Sequence, residues 1–224
     1  MSRIKLKDRV LPNYSRGEEL MNMITHIVGA GIGFVALILC VIFAAKSGNG
    51  FALAGSIVFG ISMILLFTMS SIYHGLSPKF KAKKVFQVLD HCAIFILIAG
   101  TYTPILLTGV RTHRPQLAWT LFIIIWSVAI LGILLNSIDL KKYKKFSMFC
   151  YLTMGWCVLF IARDLVSFLG VPAFILLVSG GITYTIGAVL YVIGNKRKYF
   201  HSVFHISVNL GSLLHFLCIL LLVI

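Results

Sequence analysis

Two histidines four residues apart, His201 and His205, carry the sharpest chemical pattern in the chain. Residues at that spacing lie one above the other on a helix face, so two imidazoles can share one metal ion. The spacing equally suits two histidines that hydrogen-bond inside a bundle, and alone it does not decide. A third histidine, His74, is expected at the same depth on another helix, with Asp90 on a further one. Three imidazoles and a water make up a catalytic zinc site, whose fourth position stays open. Ser70, one turn before His74, faces the same place. Its hydroxyl either orients a ligand, stabilises a developing oxyanion or bonds back to its own helix. Asp90 is read as a proton acceptor or as an orienting partner for a histidine, against the alternative of a salt bridge to a lysine of the adjacent loop. Glu19 and His26, seven apart and so on one face, are candidates to stand behind the ligands. His91 lies about 100° round the helix from Asp90 and is expected to face a neighbour; His215, ten residues beyond His205, lies roughly 15 Å deeper, out of reach of the same ion.

The elements that must position these groups are membrane helices. The chain has 224 residues, 59% of them hydrophobic and only 12% charged, where a soluble domain is roughly 25% charged. A soluble globular protein is excluded. About 20 apolar residues cross a bilayer core, and apolar runs fall at 20–45, 51–74, 85–109, 116–138, 147–168, 171–194 and 200–224. The expected fold is therefore an all-α membrane protein, a seven-transmembrane helix bundle, with residues 1–19 as a basic tail and 20–224 as one membrane domain. The first run starts too late and continues too long for a signal peptide, and is read as a retained span. The five cysteines all lie in apolar stretches, which argues against a disulfide scaffold or a metal knuckle. Glycines 29, 33, 180, 181 and 187 are the small residues that let membrane helices approach closely.

Charge orients the bundle. The formal net charge of +14, from 20 Lys and Arg against 6 Asp and Glu, would suggest nucleic acid on a soluble protein, but the sorting of loops across a membrane explains it better. No nucleic-acid partner and no soluble partner are expected. Sixteen of the basic residues fall in the tail and in the loops after the second, fourth and sixth runs, and four fall on the other side. That split places the N-terminus in the cytoplasm and the C-terminus outside, the reverse of the G-protein-coupled receptors. It also gathers Glu18, Glu19, His26, Ser70, His74, Asp90, His91, His201 and His205 at the cytoplasmic ends of four helices. Ionisable residues at membrane depth are costly and default to functional readings.

The segments EELMNMITH (18–26), SSIYH (70–74), LDHCAIFILIAGTYTP (89–104), YLTMGW (151–156), GGITYTIGAVLY (180–191) and HSVFHISVNLGSLLHF (201–216) resemble the hemolysin III family. That family belongs to the progestin and adipoQ receptor group, which includes the adiponectin receptors, and is more distantly similar to the alkaline ceramidases. The resemblance covers essentially the whole chain. It implies seven spans with the N-terminus inside, and a zinc ion near the cytoplasmic face held at His74, His201 and His205, with Ser70 and Asp90 close by. Phe204, between the paired histidines, stands where an aromatic Trp is more usual. The long cytoplasmic extension of the animal receptors has no counterpart, so a hormone-receptor role does not transfer, and the short loops suit a bacterial inner membrane.

Two functions are carried forward. One is a zinc-dependent intramembrane hydrolase acting on an amide or ester bond of a membrane lipid, with Asp90 and Ser70 as catalytic groups. The other is a non-enzymatic membrane protein of the hemolysin III type, a cytolysis-associated factor or a sensor of membrane state, with a structural zinc.

Overall fold

The computed structural model describes residues 6–193 and 197–223. Arg3, Lys5 and Lys196 of the charge count, and Ile224 at the end of the last apolar run, lie outside the described residues. Helices and their connections account for the described residues, with no strand among them. After a short 3-10 turn (Leu6–Asp8) come α1 (Arg16–Lys46), α2 (Gly50–Gly75), α3 (Lys81–Pro104), a π-helical turn (Ile105–Val110), the single turn α4 (Arg111–His113), α5 (Pro115–Trp156), a 3-10 segment (Cys157–Ile161), α6 (Ala162–Ile193) and α7 (Phe200–Val223).

α1 starts four residues before its apolar run because Ser15 and Glu18 form a capping box: the Ser15 hydroxyl accepts from the Glu18 amide, and the Glu18 carboxylate accepts from the Ser15 amide at 2.9 Å. Asn49 caps α2 by accepting from the amides of Phe51 and Ala52. α3 runs through Pro104, whose ring nitrogen cannot donate to the preceding turn. The chain widens into the π turn directly after it.

Among the described residues five stretches are long and apolar enough to cross a membrane: Arg16–Lys46, Gly50–Gly75, Lys81–His113, Pro115–Ile193 and Phe200–Val223. The fourth takes in three of the expected runs as 79 continuous residues, because the polar punctuation between them closes into helix. At 141–145 no loop forms. Only Asp139 leaves the helical region (φ −157°, ψ 94°), and its carboxylate accepts from the amides of Lys141 and Lys142 at 3.2 and 3.1 Å, so one residue ends one helical stretch and caps the next. The second break is Gly170, with φ 73° and ψ 165°, a backbone state open essentially to glycine alone.

The packing order is α1 on α2 and α7, α2 on α3, α3 on α5, and α6 on α7. The core holds Phe59, Met63, Phe67, Phe95, Leu106 and Ile219, all at most 1% exposed. Small residues set the close contacts: a Cβ on Gly33 would meet Met63 and Ile64 at 3.2 Å. The outward faces are apolar as well, with Ile24, Val28, Val35, Ile38 and Ile42 exposed on α1 and Ile123, Ile130 and Leu134 on α5. A surface of that kind is solvated by hydrocarbon rather than water. At one end α1, α2, α3 and α7 bring their polar residues together.

Candidate metal centre

α2 ends at His74 and α7 begins at His201, so helix direction alone brings them to the same end of the bundle. One ligand atom from each of His74, His201 and His205 can be chosen so that all three lie within 4.8 Å of one another. His201 Nε2 and His205 Nε2 are 3.0 Å apart. The ring centroids of His74 stand 5.2 Å from His201 and 4.9 Å from His205.

The partners of these rings decide which nitrogens are available. His74 Nδ1 donates to Glu19 Oε2 at 2.7 Å, and His205 Nδ1 donates to the Asn22 carbonyl at 3.2 Å. Each ring is thereby held in the tautomer that leaves a lone pair on Nε2. His74 Nε2 is buried and has no hydrogen-bond partner, and an orphaned buried acceptor of that kind carries the full cost of desolvation. A cation offered by neither helix would satisfy it. The donor set, three imidazoles without a thiolate, fits a borderline-soft divalent ion such as zinc.

Glu19 is itself fixed. Its other oxygen, Oε1, accepts from Lys83 Nζ at 2.8 Å, and the same ammonium donates to the carbonyls of Tyr73 (3.0 Å) and Leu76 (2.9 Å). Lys83 is 1% exposed. It belongs to the group counted as loop lysines in the sequence, yet it is folded under the end of α2. Asn22 ties α1 to α7 a second time, its side-chain oxygen accepting from Ser202 Oγ.

His26 lies flat on His205, with centroids 3.7 Å apart and planes 10° from parallel, and neither of its nitrogens has a partner. Ser70 Oγ is fully buried and likewise unpartnered; it makes no bond back to its own helix. Asp90 shares a cavity with His26, His201 and His205. Its ion-pair neighbour among the described residues is His91, at 3.7 Å, rather than a lysine. His91 turns aside, Nδ1 donating to the Gln87 carbonyl at 2.8 Å. That cavity, of about 180 Å³, continues away from the histidines between apolar side chains as far as His215.

Tyr14 is the contributor that sequence reasoning missed. Its ring stacks on His201 at 5.0 Å and reaches His74 at 5.9 Å, closing the cluster from the segment before α1. Burial first, then the nearby Tyr191 and the carboxylates of Glu19, Asp90 and Glu18, push its phenol above the usual range. A lone aromatic in a basic tail has no periodicity to place it. At the opposite end of the bundle Asp164 pairs with Arg114 at 2.8 Å, not with its neighbour Arg163.

A family model described as "Haemolysin-III related" matches residues 14–216. The chain is 40% identical over 203 residues to "Hemolysin-3" of Bacillus cereus, covering 91% of this chain and 90% of that protein. It is 37% identical over 203 residues to the "Hemolysin-3 homolog" of Bacillus subtilis (strain 168), covering 91% and 93%. A more distant likeness, 27% over 227 residues, joins 88% of the chain to 49% of the "Adiponectin receptor protein" of Drosophila melanogaster.

Proposed function

The chain belongs to the Haemolysin-III related family, and from that premise we propose that it is a zinc-dependent intramembrane hydrolase of an amide or ester bond in a membrane lipid, acting on membrane lipid homeostasis from a bacterial plasma membrane. The reading includes seven spans, with the breaks at Asp139 and Gly170 dividing the 79-residue stretch into three, an internal N-terminus and an external C-terminus.

The observation that carries the proposal is the pairing of two kinds of incomplete group. Imidazole ligand atoms converge at His74, His201 and His205, the Asp90 carboxylate borders an apolar cavity together with His201 and His205, and one turn before His74 the Ser70 hydroxyl is buried without a partner. A metal ion held by the three histidines would supply Lewis acidity and a water acidic enough to be a nucleophile near pH 7. The remaining roles fall to the protein. Glu19 and the Asn22 carbonyl hold His74 and His205 in the ligand tautomer. Asp90 accepts the proton of the attacking water and returns it to the leaving group. Ser70 has its hydroxyl free to donate to the oxygen on which negative charge develops. The cavity takes the acyl chain, so the scissile bond stays at headgroup level while the chain remains in an apolar surrounding.

The names of the Bacillus relatives favour a second reading, a cytolysis-associated factor with a structural metal. One experiment separates the two: zinc content and lipid hydrolysis measured on the purified chain and on His205→Ala. The hydrolase reading expects one zinc per chain and turnover, both lost in the variant. Zinc without turnover on any lipid amide or ester would favour the second reading, and turnover persisting without metal would overturn the first.

A further inference from the structure

His215 is the one histidine of α7 that the metal centre leaves unused. It is 8% exposed, lies ten residues beyond His205 and so roughly 15 Å along the helix axis, and borders the same cavity as His26, His201 and His205. A glycine makes room for it: a Cβ on Gly180 would collide with the His215 ring. Nε2 of His215 donates to the Leu177 carbonyl at 3.1 Å, which leaves the neutral ring with a lone pair on Nδ1. That Nδ1 is buried and has no partner.

Four hydroxyls of the cavity wall donate elsewhere. Thr101 donates to the Leu97 carbonyl, Tyr102 to the Met154 carbonyl, Tyr151 to the His91 carbonyl and Thr185 to the Gly181 carbonyl. Tyr184 is paired with Ser212 at 2.7 Å. A donor for His215 Nδ1 can arrive with whatever fills the cavity.

We propose that the cavity is built for an acyl chain carrying a hydroxyl part-way along its length, and that His215 Nδ1 accepts the hydrogen bond from that hydroxyl while the chain's polar head lies at the histidine cluster. The class is thus a hydroxylated fatty acyl lipid or the hydroxy fatty acid released from it. The inference rests on the lipid reading of the cavity given above and names its occupant. The separation of roughly 15 Å along α7 suits a hydroxyl near the middle of a long chain.

Oleate and ricinoleate differ by one such hydroxyl, and they are the probes. Binding of each is measured at equilibrium to the full chain in phosphatidylcholine nanodiscs, without any readout of hydrolysis, so a failure of the enzymatic reading leaves this test intact. The wild type should bind ricinoleate about fivefold more tightly than oleate, as one added hydrogen bond of about 1 kcal/mol requires. His215→Phe, which keeps an aromatic ring but no acceptor, should bring the ratio to one by weakening ricinoleate alone. If that variant does not fold, nitrogen NMR of the wild-type histidines decides: ricinoleate should shift the His215 Nδ1 resonance and oleate should leave it in place. Equal affinities in the wild type, no binding of either acid, a preference that survives His215→Phe, or an Nδ1 resonance indifferent to ricinoleate would each overturn the proposal.

Discussion

Lys83 Nζ sits 2.8 Å from Glu19 Oε1 while the opposite oxygen of that carboxylate accepts from His74 Nδ1 at 2.7 Å. A buried lysine thus holds an acid, and the acid holds a histidine whose far nitrogen is bare. Breaking one partner of a buried pair is costly because the other charge stays behind unpaired. Glu19→Gln should lower stability by about 2 kcal/mol, less than a fully buried pair would lose, since the Glu19 side chain is 17% exposed. Zinc affinity should drop about 10–100-fold as the His74 orienter weakens. Adding Lys83→Met should restore much of the stability and none of the zinc affinity. Chelator competition and thermal melting read the two effects separately, and a Glu19→Gln variant that binds zinc like the wild type would remove Glu19 from the site.

Ser70→Ala should divide stability from activity. The Ser70 hydroxyl is buried and unpartnered, so its removal takes away a desolvated group that is paired to nothing, and the melting temperature should hold or rise slightly. Turnover should nonetheless fall about 10²–10³-fold, as when an oxyanion donor is lost. A variant that melts as the wild type does and hydrolyses at the wild-type rate would leave Ser70 as packing alone.

The histidine cluster was legible because it depends on quantities the sequence carries directly: a four-residue spacing on α7, and helix directions that bring His74 to the same end. What escaped the sequence depends on tertiary contact. Lys83 reads as one more cation in a basic stretch until Glu19 and two carbonyls are brought over it. Tyr14 belongs to no periodic segment, and only its stack on His201 places it. The interrupted stretch after Pro115 escaped for a different reason. A run such as Lys141–Lys145 looks like a loop by composition, but lysines are good helix formers, and the Asp139 side chain supplies the cap that lets the helix resume at once.

The membrane orientation is open to a direct measurement. Sixteen of twenty Lys and Arg residues fall on the side of the N-terminal tail in the seven-span reading. One of them, Lys83, is buried beneath α2, and removing it still leaves fifteen against four. Reporter fusions after residue 223 should therefore be active only outside the cytoplasm, and fusions in the Lys141–Lys145 stretch only inside. Cytoplasmic activity of the C-terminal fusion would reverse the bundle and put the histidine cluster on the outer face.

Asp90→Asn separates a catalytic centre from a structural one. Three histidines already provide ligand atoms within 4.8 Å of one another, so zinc binding does not call on a fourth protein group. Asp90 borders the same cavity, and among the described residues its ion-pair neighbour is His91 at 3.7 Å rather than a lysine. The carboxamide keeps the shape of the carboxylate and cannot take a proton. Zinc content should therefore stay at one per chain in Asp90→Asn, while lipid hydrolysis falls by about 10²–10⁴-fold, the range for losing a general base. Metal analysis and turnover on the same preparation check both halves. Loss of zinc together with activity would mean that Asp90 completes the coordination, and a centre closed by four protein ligands belongs to a structural site.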